Sequence, residues 1–387
     1  MTEVEIKQKI ITFNFMTLFG AVFFLFFALD FYIPILPFYV IDVGGGEAAI
    51  GMLMGLFTFC SVILRPFQGR AINRRGRKRL LVTGIALYAA AGMGLLILPP
   101  LSLVFVFRAV QGFGWGAFLL AFNTLALDLA PPGRRGEALG LMGIAPPFSL
   151  ATAPILGEYL RVATGANYLA LFFTAVAAAL IALLMGSLVR EPSMDKDEEK
   201  KSPLWSRKVF FPSMVIFFMT FTLGSILTFL PLLGEVRDIR AVGYFFSVFA
   251  LTTVVSRPAA GWLSDRLGRS QVFLPALVIA SISLLMIAAA DSAQQLLLSA
   301  FILGLGFGAA HSSVMAMAAD RLPIMERGIG MATFTAAFDL GIVAGAVTLG
   351  VLLNWFSFSV VFILCALVML APVLVYVIKQ RVQQAVD

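Results

Sequence analysis

Several ionisable side chains lie inside apolar stretches long enough to cross a bilayer. A charge there is costly, so each is a functional candidate. Asp30 stands in Phe-Ala-Leu-Asp30-Phe-Tyr-Ile-Pro34, and Arg108 in a run of valine and phenylalanine. Helical rise puts Asp30 roughly 15 Å and Arg108 roughly 10 Å below the same surface. A buried carboxylate near a guanidinium can bind and release a proton, because burial and a nearby cation act on it in opposite senses. The same residues could form a static ion pair. His311, the single histidine, and Asp339 share a depth of roughly 15 Å from the opposite surface. A second proton pair, a structural hydrogen bond and no contact at all are equally open for them. Glu158 falls near a span end, as a wetted interfacial residue or a gate. Gln111 and Asn123 share a span with Arg108 and could bind a substrate or bridge helices.

Other chemistries find no support. There is no P-loop, so ATP does not drive this protein directly. One histidine and two scattered cysteines, Cys60 and Cys365, argue against a zinc or haem centre and leave no material for a catalytic triad. The expectation is a protein that is not an enzyme and has no cofactor, with protons as the coupling ion.

The elements that must position these residues are membrane spans. The chain has 387 residues, of which 60% are hydrophobic and 13% charged. A soluble domain would carry about a quarter charged residues. Twelve spans are expected, at 11–40, 48–70, 79–99, 101–129, 137–160, 167–189, 209–233, 242–263, 270–290, 294–320, 327–353 and 357–379. The fold class is therefore all-α and integral to the membrane, with six-helix bundles at 1–189 and 209–387. Between them, Arg190–Lys208 is rich in mixed charge and reads as a flexible cytoplasmic linker.

The net charge of +7 does not point to nucleic acid, because of where it sits. Lysine and arginine gather in alternate loops: Lys7 and Lys9, seven residues from Arg65 to Arg79, Arg134 and Arg135, six in Arg190–Lys208, then Arg257, Arg266 and Arg269, then Arg321 and Arg327, then Lys379 and Arg381. The other side receives Arg161, Arg237 and Arg240. This asymmetry places both termini in the cytoplasm, in a bacterial-type inner membrane. The N-terminal MTEVEIKQKI has no small-residue cleavage site and reads as the approach to the first span.

A self-match runs through the chain at a constant offset of 192 residues. Arg65-Pro66-x-x-Gly69 returns as Arg257-Pro258-x-x-Gly261, and Gly76-Arg77 as Gly268-Arg269. Gly112, Gly114 and Gly116 return as Gly304, Gly306 and Gly308. Asp128 returns as Asp320, and Arg135-Gly136 as Arg327-Gly328. Two halves with an even number of spans each are parallel repeats, which bind substrate at their interface and move around it.

Gly261-Trp-Leu-Ser-Asp265-Arg266-Leu-Gly268-Arg269 resembles the loop signature of the major facilitator superfamily. The first-half version, Gly69-Arg-Ala-Ile-Asn73-Arg74-Arg-Gly76-Arg77, has Asn73 where the family has Asp. Arg108-x-x-Gln111-Gly112 is similar to the motif of proton-coupled members. Ala153-Pro154-x-x-Gly157 resembles a degraded antiporter motif. The resemblance implies alternating access and a cavity lined by spans 1, 4, 7 and 10, so Asp30 and Arg108 could face each other. It also implies that the signature loop, with an acid at the foot of span 4, latches the halves; Arg77 and Asp128 match those positions. Gly69 and Gly261 are expected to let helix ends approach closely. Asn73 brings no charge to its latch.

The expectation is a transporter resembling the twelve-helix drug:proton antiporter branch, exporting small lipophilic compounds. A transporter of a metabolite, sugar or metal chelator is the nearest alternative, and a lipid flippase the alternative of another class. The partners are a small-molecule substrate and membrane lipids, with a functional monomer and no nucleic acid.

Overall fold

The computed structural model describes residues 11–63, 76–129, 141–191, 206–322 and 327–386. The fold is all-α. In chain order the helices are α1 (Phe13–Phe31), α2 (Glu47–Ile63), α3 (Arg77–Leu95), α4 (Leu101–Asp128), α5 (Ala145–Ala163) and α6 (Tyr168–Leu188). The second repeat supplies α7 (Phe210–Val236), α8 (Val242–Leu267), α9 (Arg269–Ala289), α10 (Ala293–Asp320), α11 (Arg327–Leu352) and α12 (Phe358–Val386). Among the described residues nine helical stretches are long and apolar enough to cross a membrane, and Glu47–Ile63 is a shorter apolar helix. Large apolar side chains such as Phe173, Leu184, Val255 and Leu374 are exposed. That is the surface a bilayer wants and water does not.

Two expectations are corrected. The first span is not one continuous helix. After Phe31 the chain turns through Tyr32–Ile35 and resumes as a short helix, Leu36–Asp42. Pro34 has no N–H to give to a helical ladder, and Leu36 N bonds to Tyr32 O at 2.9 Å across the turn. Arg257 is also not a loop residue. It lies ten residues before the end of α8, one residue ahead of Pro258, and the helix runs through both. Neighbouring helices let a membrane helix tolerate proline.

The chain divides into two compact units. Unit 1 holds α1, α3, α4, α6 and the adjoining ends of α2 and α5. Unit 2 holds α7–α12, the short helix Leu36–Asp42, and the parts of α2 and α5 at residues 47–59 and 151–163.

Each unit is held by close backbone approach, since apolar burial alone does not drive helices together in lipid. In unit 1, α3 packs on α4 where a Cβ on Gly84 would lie 2.7 Å from Gly114 O. In unit 2, α9 packs on α10 where a Cβ on Gly306 would lie 2.7 Å from Ala276 O. Positions 84 and 276, like 114 and 306, differ by the repeat offset. Gly116 meets Ser61 and Gly308 meets Thr253, again one offset apart. The pairs α1–α6 and α3–α6 likewise have counterparts in α7–α12 and α9–α12. The two bundles are pseudo-symmetric.

Candidate functional site

Asp30 is 8% exposed and lies one residue before α1 ends. Ser149 on α5, fully buried, donates from Oγ to Asp30 Oδ2 at 2.6 Å. The carboxylate thus sits where α1 breaks and is held by a neutral hydroxyl from another helix. Phe23, Phe26 and Phe27 fall seven, four and three residues earlier, which puts them on the same face of α1 as Asp30. All three are half-buried. Phe23 packs against Phe27 and against Phe148, the residue before Ser149, with ring centroids 6.0 and 5.5 Å apart. Phe26 meets Trp115 of α4 edge-on at 4.7 Å. The buried acid therefore stands at the edge of a partly open aromatic surface. Sequence reasoning missed Ser149 and this clustering, because serine and phenylalanine recur throughout the chain.

Arg108 and Gln111 are both fully buried on α4. Arg108 Nη1 donates to Gln111 Oε1 at 2.9 Å. Three residues make about one helical turn, so the R-x-x-Q spacing itself sets the amide beside the guanidinium. The bonds give Asp30 and Arg108 different partners, Ser149 for the acid and Gln111 for the guanidinium. Asn123 is exposed and donates from Nδ2 to Leu119 O of its own helix at 2.9 Å.

His311, on α10, stacks on Phe307 with centroids 6.3 Å apart and meets Phe338 of α11 edge-on at 6.0 Å. No hydrogen bond to Asp339 is among its contacts. Asp339 follows Phe338 directly, so it projects about 100° further round α11.

The signature loops form ion pairs within each unit. Arg77 pairs with Asp128 in unit 1. One offset later, Arg269 Nε donates to Asp320 at 2.8 Å. Nη1 of Arg269 also pairs with Asp265, four residues back, and donates to Ser264 Oγ at 2.8 Å. Gly76 and Gly268 have φ of +88° and +99° and precede α3 and α9 directly. A side chain is strained there, which explains the glycine at both positions. Glu191 caps α3 by accepting from Arg77 N at 2.7 Å and Lys78 N at 3.3 Å. Its charge also suits the positive end of the helix.

Other signature residues take different places. Arg266 lies over the Trp262 ring at 4.0 Å. The expected close approach at Gly261 is corrected: a Cβ there would meet no atom within 4 Å, because α8 is exposed at that turn. Gly69, Asn73 and Arg74 lie outside the described residues.

Glu158 sits at the end of unit 2 away from these loops. Its Oε2 accepts from Gly243 N at the start of α8. Ser247 on α8 donates to Ala151 O of α5, and Arg161 pairs with Glu235 at 2.9 Å. Gly243 has no room for a side chain, since a Cβ would lie 2.8 Å from Ile155 Cα and 3.0 Å from Pro154 O. The helix 5 motif thus supplies the backbone that α8 packs on, and Gly157 is buried in the same turn. A cavity of about 220 Å³ opens beside it, lined by Pro34, Phe38, Glu158, Arg161, Glu235 and Asp238 among others. Among the described residues no group of three or more His, Cys, Asp or Glu side chains could hold a metal ion.

Known proteins share this architecture. A mutant of the nucleoside transporter NupG superposes with a TM-score of 0.81 at 12% identity, covering 94% of this chain and 99% of that one. A POT family transporter in complex with 5-aminolevulinic acid gives 0.79 at 13% identity, covering 94% and 95%. At such identities the likeness concerns the fold. The multidrug resistance protein MdtG of Enterobacter lignolyticus (strain SCF1) is 28% identical over 367 residues, covering 89% of this chain and 86% of that one. MdtG of Serratia proteamaculans (strain 568) is 27% identical over 369 residues, covering 89% and 88%. The model of the Major Facilitator Superfamily matches residues 18–244 and again 238–385. With both repeats matched, this chain belongs to the Major Facilitator Superfamily.

Proposed function

We propose that this secondary-active transporter exports small lipophilic compounds in exchange for protons, with Asp30 as the coupling carboxylate. The observation that carries the reading is the Asp30–Ser149 bond at the break in α1, beside half-buried phenylalanines. A broken span near the substrate path is a feature of transporter sites. An apolar wall with few polar groups suits a lipophilic ligand. The relatives named for multidrug resistance support the same substrate class.

Protonation adds one proton to an Asp30 oxygen and removes the charge that Ser149 stabilises. A neutral carboxyl group can then bury itself in the aromatic surface, and the charged form needs the hydroxyl or water. Substrate and proton therefore compete for the environment of Asp30, which couples their fluxes. Arg108, held by Gln111, contributes fixed positive charge on α4. His311 and Asp339 remain further candidates for the coupling route. With the termini in the cytoplasm, the bonds of Glu158, Arg161 and Ser247 form an outer gate. The ion pairs of Arg77 and Arg269 form latches at the cytoplasmic ends. The bundles divide at 190–208, where Arg190 and Glu191 are tied to Asn14 and α3, and one chain is the working unit.

The test is purified protein in proteoliposomes under an imposed pH gradient, with lipophilic cations, sugars and metal chelators as candidates. A lipophilic compound should move against its gradient as protons flow the other way. Transport indifferent to every pH gradient, or confined to a polar solute, contradicts the reading.

A further inference from the structure

Arg257 is a charge that the transport cycle described above does not use. It lies roughly 15 Å inside the end of α8 at 1.5 Å per residue. The side chain is half-buried, and its Nε is buried without a hydrogen-bond partner. No carboxylate among the described residues forms an ion pair with it. A cation held in a membrane helix without a counter-charge is costly to keep, and such groups mark substrate paths.

The seam beside it brings a second nitrogen group close. Ser256, the preceding residue, donates to Gly304 O of α10 at 3.0 Å and packs on Gly308. One turn further along α10 stands His311, half-buried. Gly304 meets Phe249 and Thr252 while Gly308 meets Thr253 and Ser256, so α8 and α10 run side by side in the same direction and position 257 comes level with position 311. No hydrogen bond among the described residues occupies the ring. Phe307 and Phe338 flank it, one face-on and one edge-on. Asp339, the residue after Phe338, shares its stripe of α11 with Val343 and Ala346. That stripe packs on Gly55 and Gly51 of α2. Asp265 and Asp320 are engaged by Arg269.

We propose that Arg257 and His311 form a subsite for the acidic group of an organic anion, with Phe307 and Phe338 taking an attached flat apolar group. The guanidinium offers planar paired donors that match a carboxylate, and the imidazole offers one more. This inference rests on the small-molecule transporter reading and narrows its substrate class to lipophilic acids. Its test reads binding without any gradient, so loss of proton coupling would leave it standing.

The experiment is equilibrium dialysis of 1-naphthoate and its neutral amide against the full chain in lipid nanodiscs at pH 7. The acid should bind at least about tenfold more tightly than the amide. Arg257→Gln should abolish that preference, and Arg257→Lys should keep part of it. Ligand-free Arg257→Gln should melt no lower than the parent protein, because the cation has no partner to lose. If it does not fold, His311→Gln provides the second reading and should weaken the preference about threefold or more. Equal binding of acid and amide by the parent protein overturns the proposal. So does an undiminished preference in Arg257→Gln or, should that variant not fold, in His311→Gln.

Discussion

At the scale of single residues, the proposed chemistry rests on charged groups held by neutral ones. Asp30 is bonded to Ser149 and Arg108 to Gln111. Ser149→Ala removes the hydroxyl from a buried carboxylate and should cost about 2 kcal/mol of stability, the scale for a hydrogen bond to a charged group. Thermal unfolding in detergent checks this, with Ser149→Thr expected to recover most of the loss. A Ser149→Ala protein as stable as its parent would mean that the bond contributes nothing. Asp30, Arg108 and His311 were legible in the sequence because each is a lone ionisable group in an apolar run. Ser149 was not, being one small hydroxyl among many. Arg257 falls with the basic loop residues when charge is counted along the chain, and only the structure shows α8 running on through Pro258 to Leu267. Glu191 lay in a stretch read as linker, and only the fold shows it capping α3.

At the scale of helices, two devices set the geometry: backbone seams and capped ends. Arg237 closes the end of α9. It donates to the carbonyls of Ile287, Ala288 and Ala290 at 3.2, 2.7 and 2.6 Å and to Ser359 Oγ of α12 at 2.7 Å. Last-turn carbonyls have no partner within their own helix. Arg237→Ala should therefore destabilise unit 2 by about 2 kcal/mol or more, read as a lower melting temperature. A change within measurement error would contradict the cap. Gly345 of α11 lies against the backbone of Phe221 of α7, with no space for a Cβ. Gly345→Leu should sharply reduce folded yield in size-exclusion chromatography, and normal yield would count against the seam. The repeat was legible at this scale because its spacing is fixed, and the seams at Gly84–Gly114 and Ala276–Gly306 reproduce it in three dimensions. The break in α1 was less so. Pro34 lies inside a stretch that reads as one span over 11–40, and the short helix after the turn packs against α7.

At the scale of the whole molecule, the proposed outer gate requires the contacts of α5 with α8 to form and release. Ser247 is 8% exposed and sealed by Ala151. In Ser247→Cys the thiol should resist a membrane-impermeant reagent. Adding Gly243→Phe should wedge the seam and expose it, since Gly243 abuts Ile155 and Pro154. The native cysteines, Cys60 and Cys365, are buried and contribute little background. Labelling unchanged by the wedge would contradict the gate. The central claim, that Asp30 couples substrate to protons, is tested most directly by Asp30→Asn in proteoliposomes, assayed for both substrate exchange and pH-gradient-driven transport. The account predicts that exchange persists and gradient-driven transport is lost. An Asp30→Asn protein that still concentrates substrate under a pH gradient would contradict it.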